Sequence, residues 1–539
     1  MKHLHFLFLV ALPVSLLAQP APVKRTDQPP IILLNGYQLI CSATPVNSTD
    51  TFGRLEALLV ETGREVRFFD NCMQGRVPIE VLGTKLGEYL SALRYEDGSP
   101  VEQVDLIGHS MGGLIARCYL SGRQEDGTYK PPFPKRVRKL ITIGSPHFGA
   151  EFAGDAPDLQ AAAMVPGTRF LYELATWNQL REDLRGVDTL AIAGRSRDRA
   201  GDGLVSALSA STYFVTGVGP DRTRVISGCH TTGFGGLLLS CTLGERGIAN
   251  INNNTHPSWQ LITSFLSDDA PTLQDLFSAA EDTELSSQAA LWLTYATAED
   301  TLLSGDAITG QYAGQALKSY PESPALFVSR TPQGEGLIQI SANGQPAVPF
   351  PVVLERGVRT LPLKEGPSIA SIEMASTEDG VFATNGRILA SDGRIRILGQ
   401  NLGGLKEVHL NEDSALAIES AGDTEIVATV PRRDPGIARV TVMTETGKHS
   451  VNAFFGPVPA RLTLTDRSKA SWDAVAGATN YVIWIGTERG KSDILDLQQS
   501  IGFDLELPPL PVEKTVYFRL WTQVGGEWGY RDLVLPVPE

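Results

Sequence analysis

Three things are scarce in this sequence. After residue 18 no apolar run approaches the roughly 20 residues that a membrane-spanning helix needs, which excludes a polytopic membrane protein. No block of like charge occurs either; the formal net charge of -15 is spread along the chain. That argues against nucleic acid or an anionic membrane as the main partner. Cysteine is rare, with five residues in 539, all before residue 242. The chain is therefore no small disulfide-held scaffold, and the cysteine-free remainder points to a different kind of domain. At this length one core is insufficient and two to four domains are expected. The apolar share of 42% and the charged share of 20% are those of an ordinary globular protein.

Residues 1–18 read as an export signal. Lys2, His3 and His5 lead into an apolar run from Phe6 to Ala18 that is too short to span a bilayer, with a cut expected after Ala18, although Leu16 is larger than that position prefers. No cysteine follows the cut, so a lipid anchor is not expected. The exported chain would reside in the periplasm, at the cell surface or in the medium. In such compartments cysteines pair. Cys118 falls on the buried-looking face of a helix and reads as a core thiol. Cys41, Cys72, Cys229 and Cys241 remain, with three pairings open and the local one, Cys41 with Cys72 and Cys229 with Cys241, preferred.

The chemistry centres on VDLIGHSMGGLIARCYL, residues 104–120. Val104 to Ile107 has the continuous apolar character of a buried strand, and a helical pattern of Leu114, Ile115 and Cys118 follows. Ser110 sits at the turn between Gly108 and Gly112, where a chain bending so sharply needs positions without a Cβ. This is the G-x-S-x-G nucleophile elbow, with the Met111 amide at the helix start available to an oxyanion. Upstream, Ile31 to Leu34 predicts a strand ending in Asn35, Gly36 and Tyr37. Helices are expected over Thr51–Thr62 and Pro78–Leu93, and strands over Glu65–Phe69, Lys139–Ile143, Val187–Ala193 and Thr223–Ser227. Strands alternating with helices at this spacing imply a doubly wound parallel α/β sheet.

The segment 29–266 resembles the α/β-hydrolase fold, and within it the bacterial extracellular lipases and esterases. The likeness rests on LLNGYQ at 33–38, GHSMGG at 108–113, GSPHFG at 144–149 and GDGLVS at 201–206. It implies a carboxylic-ester or lipid substrate and an oxyanion hole made by the amides of Met111 and Tyr37. The family's usual His-Gly at the oxyanion loop is Asn35-Gly36 here. The resemblance also implies a cap over about 150–186, for which an ordinary packed helix carrying Phe170, Leu171, Leu174 and Trp177 is the competing reading. Asp202 opens the Asp-Gly-Leu-Val turn that these lipases use for their acid, and it is preferred to Asp198 in its Arg-rich loop.

Elimination among the histidines leaves two candidate bases. His109 adjoins Ser110 and is expected to point elsewhere, and His147 follows the wrong strand. His230 lies just beyond the last expected strand, where the order Ser, Asp, His places a base. His256 precedes Pro257 at a helix start and is the alternative. A serine, a histidine and a carboxylate suffice for acyl transfer, so neither metal nor cofactor is called for.

Beyond residue 266 the pattern changes. Residues 267–300 are acidic and weakly helical and read as a connector or a helical outer layer. From about 301, short alternating runs between Gly, Pro and Asp turns imply β-sandwich modules: 301–380, 383–456 and 458–539. The second resembles an IPT/TIG immunoglobulin-like domain (IRILGQNLGG, 395–404), and the third a fibronectin type III module around Trp472. Trp521, Trp528 and Tyr530 would either form a platform for carbohydrate or another surface polymer or fill the sandwich core. A monomer is expected. Two functions follow: an exported ester hydrolase whose tail attaches it to a surface or substrate, or a non-catalytic adhesion or carbohydrate-binding protein on a hydrolase scaffold.

Overall fold

A computed structural model describes residues 20–537 outside 39–40, 42–44, 151–152, 154–157, 180–183, 198–200, 215–221, 232–240, 242–243, 270–271, 274, 277–281, 318–324, 332, 346–347, 376–381, 384–387, 390–392, 412, 414 and 500–501. The segment 1–18 expected to be an export signal, and Asp198, lie outside the described residues.

The first part of the chain supplies β1 (Ile31–Leu34), α1 (Ser48–Phe52), α2 (Leu55–Glu61), β2 (Val66–Phe69), α3 (Ile79–Ala92), β3 (Val104–His109), α4 (Met111–Ser121), β4 (Val137–Ile143), α5 (Leu159–Ala163), α6 (Arg169–Thr176), β5 (Asp188–Arg195), β6 (Thr223–Ser227) and α7 (Pro257–Leu266). The six strands form one parallel sheet in the order β2-β1-β3-β4-β5-β6. This is the α/β-hydrolase architecture. Side chains on successive residues of a strand face opposite ways, so the apolar run of β1 serves two cores at once. Ile32 and Leu34 join the cluster under α3, α4 and α6, whereas Ile31 and Leu33 join the one under α1, α2 and α7. Because both of its faces are covered, β1 is apolar at every position.

The helix expected over 51–62 is instead two helices. Gly53, at φ +61, breaks it so that Arg54 N can donate to Ile251 O at 2.7 Å while Ile251 N donates to Phe52 O at 3.1 Å. In the segment 150–186, α6 behaves as core: Phe170, Leu171, Tyr172 and Leu174 are buried in the cluster shared with α4. By contrast α5 begins with Leu159 at 69% exposure.

The connector reading of 267–300 needs correction at its end. Ala289–Ala296, which we label β7, is a strand between Ala325–Thr331, antiparallel to it, and Gly357–Lys364, parallel to it. Its period of two was hidden because Ala289 to Leu293 is apolar at every position. Leu291 and Leu293 enter the first β module's own core, while Ala290 and Trp292 enter the hydrolase core, where Trp292 meets Phe327 at 4.5 Å and Tyr172 at 5.9 Å between ring centroids. Three two-sheet assemblies follow one another along the tail, each with its own cluster: Leu291 with Ile338, Ile397 with Val440, and Trp472 with Phe518. They are consistent with immunoglobulin-like sandwiches.

The tail is fixed to the hydrolase domain by polar contacts as well. Lys135 N donates to Gly525 O at 2.7 Å and Gln179 N to Asn452 O at 2.5 Å, and Arg185 pairs with Glu527 at 2.5 Å, with both side chains 1% exposed. Trp521 and Tyr530, 4.7 Å apart, pack against the apolar cluster of the preceding module. Neither sequence reading holds for Trp521 and Tyr530: they are not a free platform, and they do not fill their own sandwich, whose core faces the other side of the strand through Phe518 and Leu520, while Trp528 is half-buried 6.5 Å from the Trp521 ring.

Candidate active site

Ser110 closes β3 and caps α4 with φ 53 and ψ -126, a conformation that a residue with a Cβ adopts only when its surroundings impose it. The imposition comes from close packing of strand on helix. A Cβ on Gly108 would lie 2.7 Å from the Gly112 carbonyl carbon and the Gly113 amide, and one on Gly112 would strike the Leu34 carbonyl. Ser110 N donates to Ile143 O at 2.9 Å, tying the turn to the end of β4. Met111 is the first residue of α4, so its amide has no carbonyl four residues back to occupy it.

The acid and base come from the next two strands. Asp202, fully buried after β5, accepts the amides of Leu204 at 3.0 Å and Val205 at 2.7 Å on Oδ1, while Oδ2 lies 2.7 Å from His230 Nδ1. With Nδ1 donating to the carboxylate, Nε2 is left as the acceptor. His230 stands just past β6, and its own amide donates to Asp202 O at 2.9 Å, so backbone and side chain both hold the pair together. Gly144, at the end of β4, joins the pair to the serine side. A Cβ there would lie 2.9 Å from Asp202 Oδ2 and 3.1 Å from His230 Nδ1, one residue beyond the carbonyl that receives Ser110 N. Two disulfides, Cys41–Cys72 and Cys229–Cys241, follow the local pairing, and Cys229 immediately precedes His230. Cys118 is free and buried.

The other histidines fall elsewhere. His256 caps α7, its Nδ1 accepting from Ser258 N at 3.2 Å, and so occupies the helix start. His147 is buried 3.2 Å from Arg117 Nη1 and 4.0 Å from the Phe214 ring centroid; burial, and then Arg117, keep its pKa well below the usual value. His109 departs from expectation. Rather than pointing away from the site, it lies 4.8 Å from the His230 ring, with Nε2 3.2 Å from His230 O. Burial, and then His230, hold its pKa well below the usual value, so it is neutral and can donate that Nε2–H.

The loop after β1 passes against the serine. A Cβ on Gly36 would sit 2.7 Å from Ser110 Cβ, so this approach requires glycine. Each residue of the loop is held. Asn71, 3% exposed beyond β2, donates Nδ2–H to Asn35 O at 3.1 Å and Gly36 O at 2.9 Å, and its backbone N–H to Asn35 Oδ1 at 3.0 Å. Tyr37 Oη donates to Asp158 Oδ2 at 2.6 Å, and Arg76, ion-paired with Asp158, donates to Gln38 O at 3.0 Å. Burial and then Asp158 raise the Tyr37 phenol above its usual value. Burial opposes ionisation of Asp158, yet the Ala161 amide, Tyr37 and Arg76 together hold its carboxyl below the usual range. Sequence reasoning missed Asn71; the available signal was a polar residue at the carboxyl end of a strand neighbouring the glycine turn, where α/β sites gather.

The sheet and this arrangement define an α/β-hydrolase domain. Within it, residues 85–216 match the family model described as the PGAP1-like alpha/beta domain. The comparison with curated proteins gives no match. Among solved structures, the phospholipase PlaB from Legionella pneumophila is similar at 14% identity, covering 62% of this chain and 93% of that one with a TM-score of 0.44. The lin2722 product from Listeria innocua is similar at 18% identity, with coverage of 45% and 95% and a TM-score of 0.28. Lipase 1 from Pelosinus fermentans is similar at 13% identity, with coverage of 34% and 71% and a TM-score of 0.23. At scores this low none of them bears on substrate or partner.

Proposed function

We propose that this chain is an exported serine hydrolase that cleaves carboxylic esters through an acyl-enzyme. The observation that carries the reading is the buried Asp202–His230 pair, 2.7 Å apart, at the strand ends and packed on Gly144, one residue past the Ile143 carbonyl that receives the amide of a serine held at positive φ. A serine hydroxyl is a weak nucleophile until a base takes its proton. In the proposed reaction His230 Nε2 takes the proton of Ser110 as Oγ attacks the ester carbonyl, and Asp202 holds the imidazole in the required tautomer and stabilises its cation. The amides of Met111 and Tyr37 receive the oxyanion, and a single such donor is typically worth about 3 kcal/mol. His230 returns the proton to the leaving alcohol, and water activated by the same histidine then releases the acid.

His109 has a supporting part, holding the His230 backbone through its carbonyl. The two disulfides fit an oxidising compartment. No described helix is long and apolar enough to cross a membrane. The tail modules, whose second and third members keep the IPT/TIG and fibronectin type III resemblance as a proposal, serve first as a rigid extension of the catalytic domain; attachment to a surface would use faces other than the one around Trp521. The test is labelling with a fluorophosphonate followed by peptide mass spectrometry. Modification of Ser110 is expected, and modification of another residue, or of none, would refute the reading.

A further inference from the structure

One part of the site has no role in the reaction as written: the buried Asn71 beside the oxyanion loop. Resting on the serine-hydrolase reading, we propose that Asn71 is the positioning residue that aims the Tyr37 amide at the oxyanion.

In a trans peptide the carbonyl and the following N–H point in opposite directions, and the Gly36–Tyr37 bond is not among the cis peptides of the described residues. Fixing the Gly36 carbonyl therefore fixes the direction of the Tyr37 N–H. Asn71 Nδ2 does so at 2.9 Å, and the same group holds the Asn35 carbonyl at 3.1 Å. Two consecutive peptide planes are thus set by one buried amide, on the side of the loop away from solvent.

Gly36 alone leaves the loop loose. Without a Cβ it has a wide choice of conformations, yet it has to be glycine because Ser110 Cβ lies where a side chain would be. A second group must remove that freedom, and Asn71 is placed to do it. Asn71 is itself fixed at both ends: its backbone N–H is taken by Asn35 Oδ1 at 3.0 Å, and Cys72 next to it is bonded to Cys41 at the far side of the loop. This gives Asn35, the departure from the family's His-Gly, a task of its own. Its side-chain carbonyl holds the residue that holds the loop. On the outer side Asp158 accepts from Tyr37 Oη and Arg76 donates to Gln38 O, one peptide farther on.

The test uses the full chain with wild type, Asn71→Asp and Asn71→Ala, assayed on a p-nitrophenyl ester, with active sites counted by fluorophosphonate labelling to completion. Asn71→Asp keeps the shape and lacks the Nδ2 donors. The expected result is a fall in kcat per labelled site of about 10-fold or more, towards the roughly 100-fold seen for outright loss of an oxyanion donor, with KM little changed. A merely structural role would lower the melting temperature or the number of sites and leave kcat per site near wild type; that outcome overturns the proposal, as does a change confined to KM. If both variants fail to fold, Asn71→Ser is measured in the same way, with the same fall expected because its short side chain does not reach the Gly36 carbonyl. A wild type that turns over no ester overturns the hydrolase reading itself, a result distinct from unaltered variants of an active enzyme.

Discussion

Replacing Glu527 by Gln tests whether the last β module is part of the hydrolase's stability. Glu527 opens the final strand, Glu527–Leu535, and its carboxylate meets Arg185 at 2.5 Å with both side chains 1% exposed. Arg185 also donates to Leu120 O at 3.1 Å, in the last turn of the helix that follows Ser110, and to Pro132 O at 2.7 Å. Charges about 4 Å apart attract by about 4 kcal/mol at an effective dielectric constant near 20. Removing one partner of a buried pair leaves the other charge uncompensated and typically costs about 3–5 kcal/mol. Because two carbonyls remain to Arg185, the expected loss for E527Q is at the low end, about 3 kcal/mol. The chain has several domains, so a single unfolding free energy is not well defined. The readout is the urea midpoint at which Ser110 ceases to react with a fluorophosphonate. That midpoint should fall in E527Q, and the double variant R185M/E527M should recover most of it, since replacing a whole buried pair by apolar groups is often close to neutral. An E527Q midpoint equal to wild type would refute the coupling of module and site.

Three further outcomes are expected. Gly36→Ala places a methyl 2.7 Å from Ser110 Cβ and should lower kcat by about 100-fold or more, with an unchanged far-UV spectrum. His449, which accepts Ile369 N at 2.8 Å and faces Asp300, Lys364 and Arg439, has its pKa lowered to about 4, chiefly by burial. The unfolded chain therefore takes up a proton before the folded one, and stability is lost as pH falls from about 6.5 towards 4. The melting temperature of His449→Asn should fall less steeply over that window than that of wild type; equal slopes would contradict the assignment. Removing the Cys229–Cys241 bond by paired serine substitution should lower ester turnover by about 10-fold or more, since small misplacement of a catalytic group is costly. Unchanged kcat would show that the bond does not hold His230.

The fold was legible where local signals and tertiary packing agree. Leu34, Gly108, Ser110 and Gly112 announce a strand, a sharp turn and a helix through residue type alone, and the alternation around them implied the parallel sheet. His230 was chosen from chain order and Asp202 from its likeness to the acid turn of the lipases, and the structure brings these two together while His256 caps α7. What stayed hidden was what one residue does in two places. Trp292 is apolar in an apolar run, and nothing in that run says that its ring belongs to the hydrolase core and not to its own sandwich. Trp521 and Tyr530 alternate as strand residues should, but the neighbouring module that covers them is more than a hundred residues away in parts of the chain. Asn71 and His109 act on the carbonyls of Gly36 and His230, and contacts between a side chain and a distant backbone leave no mark in spacing.

The most direct measurement is hydrolysis of p-nitrophenyl esters, from acetate to palmitate, by the mature chain beside Ser110→Ala. Turnover by wild type is expected, with a loss of about 1000-fold or more in the variant and the preferred chain length dividing esterase from lipase. A folded, disulfide-bonded wild type that cleaves none of these esters, or a Ser110→Ala variant as active as wild type, would contradict the serine-hydrolase reading.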